Sequence, residues 1–249
     1  MDIPKDRLAR VLAILVIAVT AILVAMTAWQ RAGRVRLPHV EPDRDLYPIR
    51  GIDISAHNGT VDFNAVAADS ITFVYLKASE GLEFRDSSFR RNHASARSAG
   101  LAVGAYHFFR FDCDGRRQAV NLMAAVDSCP LDLPLAIDVE EWGNAADSPT
   151  EIVQVRLQAM IDHLRSQGRE VAVYTNKNGF WRFVHHKFEG TDSIGVWICS
   201  FTSPPLPGDG WTFWQYSHQG RVRGVRGPVD LNTFRGDSSA WRTRFGRLQ

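Results

Sequence analysis

The sequence predicts an α/β fold, and within that class an irregular, TIM-like (β/α) barrel. Short apolar runs recur along residues 50–249, and the early ones alternate with stretches of helical pattern. Strands that are apolar throughout are typical of a parallel sheet whose outer face is covered by helices. The last three runs follow one another with little room for helices, so the end of the barrel should be irregular.

Eight apolar runs supply the expected strands. In chain order they cover residues 51–55, 71–78, 101–109, 133–140, 171–176, 194–201, 211–217 and 229–232. Two segments between them carry helix signals: residues 88–100 end in Gly100, and residues 148–168 begin with Ser148-Pro149 and end in Gly168. Serine and proline at the first turn, with glycine after the last, are typical of helix ends.

An uncharged apolar segment precedes the barrel. Residues 11–29 read VLAILVIAVTAILVAMTAW, and at about 1.5 Å per residue a helix of that length crosses a membrane. We therefore expect residues 1–30 to form a cytoplasmic stub and a transmembrane anchor. The alternative is a signal peptide, whose apolar part is usually shorter. Residues 31–49 contain prolines and mixed charges, which predicts a linker to the barrel domain at residues 50–249.

The charge balance disfavours nucleic acid as a partner. Six basic and two acidic residues lie in residues 1–36, which leaves 23 basic and 25 acidic residues in the remainder. Such a slightly acidic domain lacks the excess of positive charge that nucleic-acid binding requires. Arg221, Arg223 and Arg226 form a local basic cluster, interpreted as a solvated loop or as a site that attracts substrate carboxylates.

The three cysteines are expected to be free thiols. Cys113 and Cys129 are the tempting disulfide pair, but residues 115–126 between them have a helical pattern. A helix of that length holds its ends about 18 Å apart, whereas a disulfide needs Cα atoms within about 7 Å. Cys199 is left without a partner, and the spacing of the three resembles no zinc site.

Polar and aromatic residues end several of the apolar runs, where barrel active sites assemble. They are Asp53, Tyr106, His107, Asp138, Glu140, Tyr174, Gln215 and Tyr216. Asp138 and Glu140 are one residue apart and should share a face of one strand, with Glu141 pointing away. Two close carboxyl groups can supply the acid and the charged group that cleavage of a glycosidic bond needs. Alternatively, these acids cap the next helix or bind a cation, and His107 is expected to have a structural role.

Seven segments together resemble glycoside hydrolase family 25, the lysozymes (muramidases) that cleave bacterial peptidoglycan. They are GIDIS (51–55), YLKASEG (75–81), AGLAVGAYHFF (99–109), LPLAIDVE (133–140), VAVYTN (171–176), VW (196–197) and FWQYSHQGRVRGVRGPVDLNTF (213–234). They span nearly all of residues 50–236 in the family's order. The resemblance implies a barrel of eight strands and five helices that hydrolyses the β-1,4 bond between N-acetylmuramic acid and N-acetylglucosamine without metal or cofactor.

The resemblance also implies roles for residues at matching positions. Glu140 would be the general acid/base, and Asp138 would orient the 2-acetamido group of the substrate or stabilise the cationic centre. Asp53 and Asp230 match two supporting acids. The substrate-binding groove would be lined by Tyr106, Tyr174, Trp197, Trp214 and Gln215, although core packing is an alternative for each of them. The segment Ile198-Cys199-Ser200-Phe201 departs from the family pattern, which leaves subsite preference open.

These expectations place the protein in the cytoplasmic membrane, single-pass, with the catalytic domain facing the periplasm or the extracellular side. Its partners would be peptidoglycan glycan strands and the membrane, and a monomer is expected. Two alternatives stay open: a barrel that binds peptidoglycan without cleaving it, and a glycosidase for another acetamido-sugar polymer such as chitin. The spacing of the acids does not decide between inversion and retention, and the resemblance favours participation of the acetamido group.

Overall fold

The computed structural model describes residues 19–20, 40–145, 147–186, 193–206, 208 and 210–246. The chain divides into two units, Met1–Pro38 and His39–Gln249, and the fold below is that of the second. Nearly all of the expected anchor and residues 31–39 of the expected linker lie outside the described residues, so the anchor stays a prediction. Within the described ranges, no helix combines the length and the apolar character needed to cross a membrane.

Within the described residues, eight strands close into a barrel and a ninth, very short strand lies against one of them. The strands are β1 (Arg50–Ile54), β2 (Phe73–Glu80), β3 (Phe84–Arg85), β4 (Ala102–Phe108), β5 (Leu135–Asp138), β6 (Val171–Asn176), β7 (Gly195–Cys199), β8 (Phe213–Gly220) and β9 (Val229–Phe234). The order around the barrel is β1-β9-β8-β7-β6-β5-β4-β2, and pairing of β1 with β2 completes the ring. Each of the eight predicted runs overlaps one strand of the ring, which confirms the barrel.

The irregularity predicted for the end of the barrel is found at β9. This strand runs antiparallel to both β8 and β1, whereas the other neighbours in the ring are parallel. The connection from β8 to β9 spans only residues 221–228 and contains no helix. Because a parallel neighbour needs a longer crossover connection, so short a link forces the hairpin arrangement.

In the described residues from 40 onward, six α-helices accompany one short 3₁₀ helix at Ala56–Asn58, and the α-helices are one more than the resemblance implied. They are α1 (Phe63–Ala68), α2 (Phe89–Ser98), α3 (Gly115–Ala125), α4 (Thr150–Ser166), α5 (Lys177–Gly179, continued by π-helical residues Phe180–Val184) and α6 (Ser238–Phe245). Gly100 and Gly168 follow α2 and α4 with positive φ, as predicted. The predicted start of α4, with Ser148 as the cap and Pro149 in the first turn, is wrong by one residue, because Pro149 is the N-cap and the helix begins at Thr150.

The lower half of the barrel is filled by aromatic rings. Tyr75 stacks on Trp197 with ring centroids 4.6 Å apart, and Phe73 stacks on Trp241 of α6 at 5.4 Å. Two strand glycines make room for these rings, since a Cβ on Gly51 would lie 2.3 Å from the ring of Phe73 and one on Gly104 would lie 2.4 Å from that of Tyr75. The glycines in two of the predicted strands are therefore required by packing inside the barrel.

Candidate active site

A cavity of about 480 Å³ opens at the carboxyl ends of the barrel strands. Inward-facing side chains from neighbouring strands form its floor and walls, as strand alternation requires. Those that came from the sequence prediction are Asp53, Tyr106, Asp138, Glu140, Tyr174, Trp197, Gln215 and Asp230. Residues from distant parts of the sequence thus converge on one pocket large enough for a sugar ring.

Asp138 is the last residue of β5, and Glu140 lies just beyond the strand. The expectation that both acids belong to one strand is therefore wrong, although both line the cavity. The segment between them is held by its neighbours: Phe109 N–H donates to the Asp138 carbonyl at 2.9 Å, and Val139 N–H donates to the Tyr174 carbonyl at 2.8 Å. Asp138 is 8% exposed, and its Oδ1 has no hydrogen-bond partner among the described residues.

The loop that follows Glu140 is fixed by a side chain that the sequence analysis did not identify. Asn144 Nδ2 donates to the carbonyls of Glu140 at 2.9 Å and Phe109 at 3.0 Å. Its Oδ1 accepts from Phe111 N–H at 2.9 Å. The amide group of Asn144 thereby joins the loop after β5 to the end of β4. No local sequence pattern predicts such a contact.

Glu141 points away from the cavity, as predicted. Its carboxylate accepts a hydrogen bond from the guanidinium group of Arg182, which also donates to Thr150 Oγ1 at 2.8 Å. Of the two adjacent glutamates, Glu140 alone lines the pocket.

Burial raises the pKa of Glu140 to about 7, with a further contribution from the negative charge of Asp53, while Lys77 acts in the opposite direction. Burial also raises the pKa of Asp138 well above its usual value, and the charges of Glu140 and Asp53 add to this effect. A carboxyl group that keeps its proton near neutral pH can act as a general acid.

Asp53 and Asp230 are a second pair of acids, placed directly opposite each other in the β1–β9 ladder. Asp53 Oδ2 accepts from Gln215 Nε2 at 2.9 Å and from Asn232 Nδ2 at 2.8 Å. Burial raises the pKa of Asp230 to about 9, and the charge of Asp53 and a hydrogen bond to it contribute. Burial also raises the pKa of Asp53, but hydrogen bonds from Asn232, Gln215 and Asp230 oppose that rise, so Asp230 is the donor of the pair and Asp53 is the acceptor.

The amide donors around Asp53 are themselves oriented by aromatic residues. Tyr174 O–H donates to Gln215 Oε1 at 2.9 Å, and Trp197 Nε1 donates to Asn232 Oδ1 at 2.9 Å. Because each amide oxygen is occupied in this way, each amide nitrogen is turned toward the Asp53 carboxylate. Asn232 is fully buried and was missed by the sequence analysis.

Trp214 is a correction to the predicted groove. It lies on the outer face of β8, where its Nε1 donates to the Ser200 carbonyl at 2.7 Å and its ring lies 6.3 Å from that of Trp211. Neighbouring strand residues point to opposite faces, so the inward position of Gln215 excludes Trp214 from the cavity. The core-packing alternative holds for this tryptophan.

His107 has the structural role that was expected. It is fully buried, with Nδ1 2.8 Å from Ser79 Oγ and Nε2 3.1 Å from Gln118 Oε1. Burial lowers the pKa of His107 to about 4, so the ring is neutral at physiological pH. The cysteines Cys113, Cys129 and Cys199 are free, as predicted, and α3 separates the first two.

A charged cluster not identified from sequence lies on one wall of the cavity. Glu80 accepts from Lys77 Nζ at 2.7 Å and from Arg110 at 2.5 Å. Both cations also lie over the Phe108 ring, each 5.2 Å from its centroid. This wall therefore carries a net positive charge close to the acids.

Comparison with known proteins agrees with this geometry. The model of the family described as Glycosyl hydrolases family 25 matches residues 52–225. The autolytic lysozyme of Clostridium acetobutylicum is 33% identical over 189 residues, which cover 75% of this chain and 56% of that protein. Lysozyme M1 of Streptomyces globisporus is 31% identical over 208 residues, covering 78% of this chain and 70% of that one.

Solved structures show the same likeness. A family 25 glycosyl hydrolase from Bacillus anthracis superposes with a TM-score of 0.74 at 30% identity, over 83% of this chain and 97% of that one. The bacterial lysozyme from Streptomyces coelicolor gives a TM-score of 0.69 at 28% identity, over 81% and 98%. The chain spans little more than half of the Clostridium protein, whereas it spans nearly all of these two structures.

Proposed function

This chain belongs to glycosyl hydrolase family 25 and is a glycoside hydrolase, and from that membership we propose that it cleaves peptidoglycan at the β-1,4 bond between N-acetylmuramic acid and N-acetylglucosamine. The observation that carries the proposal is the pairing of Glu140, whose pKa is raised to about 7, with the buried Asp138 in one sugar-sized cavity. Two carboxyl groups that differ in environment are what glycosidic cleavage requires.

In the proposed reaction, Glu140 acts first as an acid and then as a base. Its proton passes to the glycosidic oxygen as the bond between that oxygen and the anomeric carbon breaks. The carbonyl oxygen of the neighbouring 2-acetamido group forms a bond to the same carbon, giving a cyclic cation. Water then attacks that carbon, its proton returns to Glu140, and the acetamido group is released with the original configuration retained.

During this reaction, Asp138 would accept a hydrogen bond from the N–H of the 2-acetamido group. Its Oδ1 is buried and lacks a hydrogen-bond partner in the described structure, so it can accept one from a substrate. A negative charge on Glu140 is one of the causes that raise the pKa of Asp138. While Glu140 holds its proton, that cause is absent, and Asp138 ionises more readily. A charge on one acid thus disfavours a charge on the other, and the proposed reaction places the proton on Glu140 and the charge on Asp138.

Asp53 and Asp230 would act on the pair from a distance. The Asp53 charge contributes to the raised pKa of Glu140 and so keeps its proton in place. Tyr106, Tyr174 and Trp197 line the same cavity and offer rings and hydroxyl groups to a sugar. A barrel that only bound glycan would need those contacts but would have no use for a proton held on Glu140.

Product analysis tests this function. The full chain is incubated with purified peptidoglycan, the new reducing ends are reduced, and the fragments are identified by mass spectrometry. Reduced N-acetylmuramic acid ends are expected, whereas reduced N-acetylglucosamine ends would exclude the proposed bond. A parallel digestion of a chitin hexamer separates the muramidase from a chitin-cleaving enzyme.

The proposed substrate also determines where the domain should lie. We propose that residues 11–29 anchor the chain in the cytoplasmic membrane and that the barrel faces the periplasm or the extracellular side, because peptidoglycan is outside that membrane. The support is the uncharged apolar sequence of this segment. Protease added to intact spheroplasts should degrade the barrel, and a protected barrel would contradict this orientation.

A further inference from the structure

Trp142 is the most exposed large apolar residue in the described part of the chain. Its side chain is 81% exposed, although Trp142 lines the same cavity as Glu140 and follows it by two positions in the chain. Trp181, by comparison, is 53% exposed and packs against the rings of Phe180 and His185. An indole surface held in water at the mouth of a ligand cavity is typical of a binding residue.

The loop that carries Trp142 is fixed on both sides of it. Asn144 holds the carbonyl of Glu140, and the guanidinium group of Arg110 donates to the carbonyl of Gly143. Gly143 adopts a φ of +78°, which favours glycine, and a Cβ there would lie 3.1 Å from the Phe108 ring. The indole is therefore presented by an ordered turn, which lowers the entropy cost of using it for binding.

The position of Trp142 differs from that of the other aromatic residues in the cavity. Tyr174 is 8% exposed and Trp197 is 2% exposed, so both belong to the floor beside the acids. Trp142 stands at the rim of the cavity. A sugar ring in contact with its indole would therefore lie outside the buried part of the pocket. A sugar on the floor of the cavity and a sugar at its rim would thus contact different residues.

We propose that Trp142 forms a separate sugar-binding site at the rim, on which the apolar face of an N-acetylated hexopyranose stacks. The sugar would be one unit farther out along the glycan than the two that flank the bond cleaved at Glu140. This inference rests on the proposed function, because the same glycan strand must occupy the cavity. Trp142 acts in binding and has no part in proton transfer.

Binding is measured on full-length chains that carry Glu140→Gln, so that the probe is not consumed. The probes are a hexamer and a dimer of β-1,4-linked N-acetylglucosamine, titrated by calorimetry. Adding Trp142→Ala should weaken hexamer binding about three- to tenfold, the range expected for loss of one aromatic stacking contact. Dimer binding should change less than about twofold. Trp142→Phe should retain most of the hexamer affinity, and Trp181→Ala is the matched control.

The outcomes separate this inference from the function beneath it. Hexamer binding that is equal in the Trp142→Ala and Trp181→Ala chains would overturn the rim site, while leaving an active muramidase intact. An equal loss with dimer and hexamer would also overturn it, because Trp142 would then serve the floor. If the chain with Glu140 intact cleaves no peptidoglycan and the Glu140→Gln chain binds neither probe, the proposed function fails, and the rim site fails with it.

Discussion

The carboxyl groups of Asp53 and Asp230 hydrogen-bond each other across a directly opposed residue pair of β1 and β9. Burial raises the pKa of both acids, and the hydrogen bond between them lowers the pKa of Asp53 and raises that of Asp230, so Asp53 carries the negative charge when one of the two is ionised. That charge contributes to the raised pKa of Glu140. An antiparallel pairing at the irregular end of the barrel thus influences protonation of the proposed general acid, which lies just beyond β5.

Replacing Asp230 by Asn should change how stability depends on pH. The folded-state pKa of Asp230 is raised to about 9, whereas the ordinary value is 3.8. Between these values the unfolded chain releases a proton that the folded chain keeps, so stability falls as pH rises across this window. Asp230→Asn removes this contribution and should become more stable relative to the parent at each step from pH 5 to pH 8, as urea unfolding can measure. A constant difference would contradict the raised pKa.

Replacing Glu140 by Gln should remove cleavage while leaving the fold intact. A general acid contributes about 10²- to 10⁴-fold to rate, and a loss in that range is expected for release of reducing ends from peptidoglycan. In the parent, kcat should fall as pH rises past about 7, since Glu140 must be protonated. Glu141→Gln is the control, because Glu141 pairs with Arg182 away from the cavity. An unchanged rate in Glu140→Gln would remove the assignment.

Two substitutions should shift this alkaline limb in opposite directions. Asp53 raises the pKa of Glu140 and Lys77 lowers it. Asp53→Asn is therefore expected to move the fall in kcat to lower pH, and Lys77→Met to move it to higher pH. Profiles of kcat against pH at saturating substrate provide the measurement. A shift of both variants in the same direction would show that these charges do not act on the group that limits the rate.

Asn144→Ala should lower kcat more than it raises KM. The substitution removes the hydrogen bonds that hold the carbonyls of Glu140 and Phe109 and the N–H of Phe111. Each buried polar group left without a partner costs about 1–3 kcal/mol, so a lower melting temperature is expected as well. Asn144→Asp keeps only the acceptor for Phe111 and should rescue part of the stability but little of kcat. Equal rescue of both would indicate a purely structural role.

The strands and the main acids could be predicted from local pattern because their signals are local. Asp138 ends an apolar run, and such runs became strands of the ring. The exclusion of Trp214 from the groove also follows from local pattern, since adjacent residues on a strand face opposite sides and Gln215 already faces inward. The resemblance to a family led to the prediction that Trp214 lines the groove. The alternation of side chains along the strand shows that this prediction is wrong.

Other parts of the site depend on contacts between distant residues. Asn232 bonds Asp53 across 179 positions, and Asn144 bonds Phe109 across 35. The local sequence around a single asparagine in a loop or strand does not indicate such a distant partner. These amides reach their partners only when the barrel closes. The exposed position of Trp142 likewise depends on the turn at Gly143. The sequence shows a glycine at this position but not the backbone conformation that it adopts.

The rings of Phe73 and Tyr75, seated over Gly51 and Gly104, close the barrel beneath the acids. The interior of the barrel is filled at that level, so a polymer does not thread through it. If the proposed function holds, a long glycan would lie across the opening, with one bond near Glu140 and both of its ends outside. A glycan bound in that way would need no chain terminus in the cavity and could be cleaved in the middle of a strand.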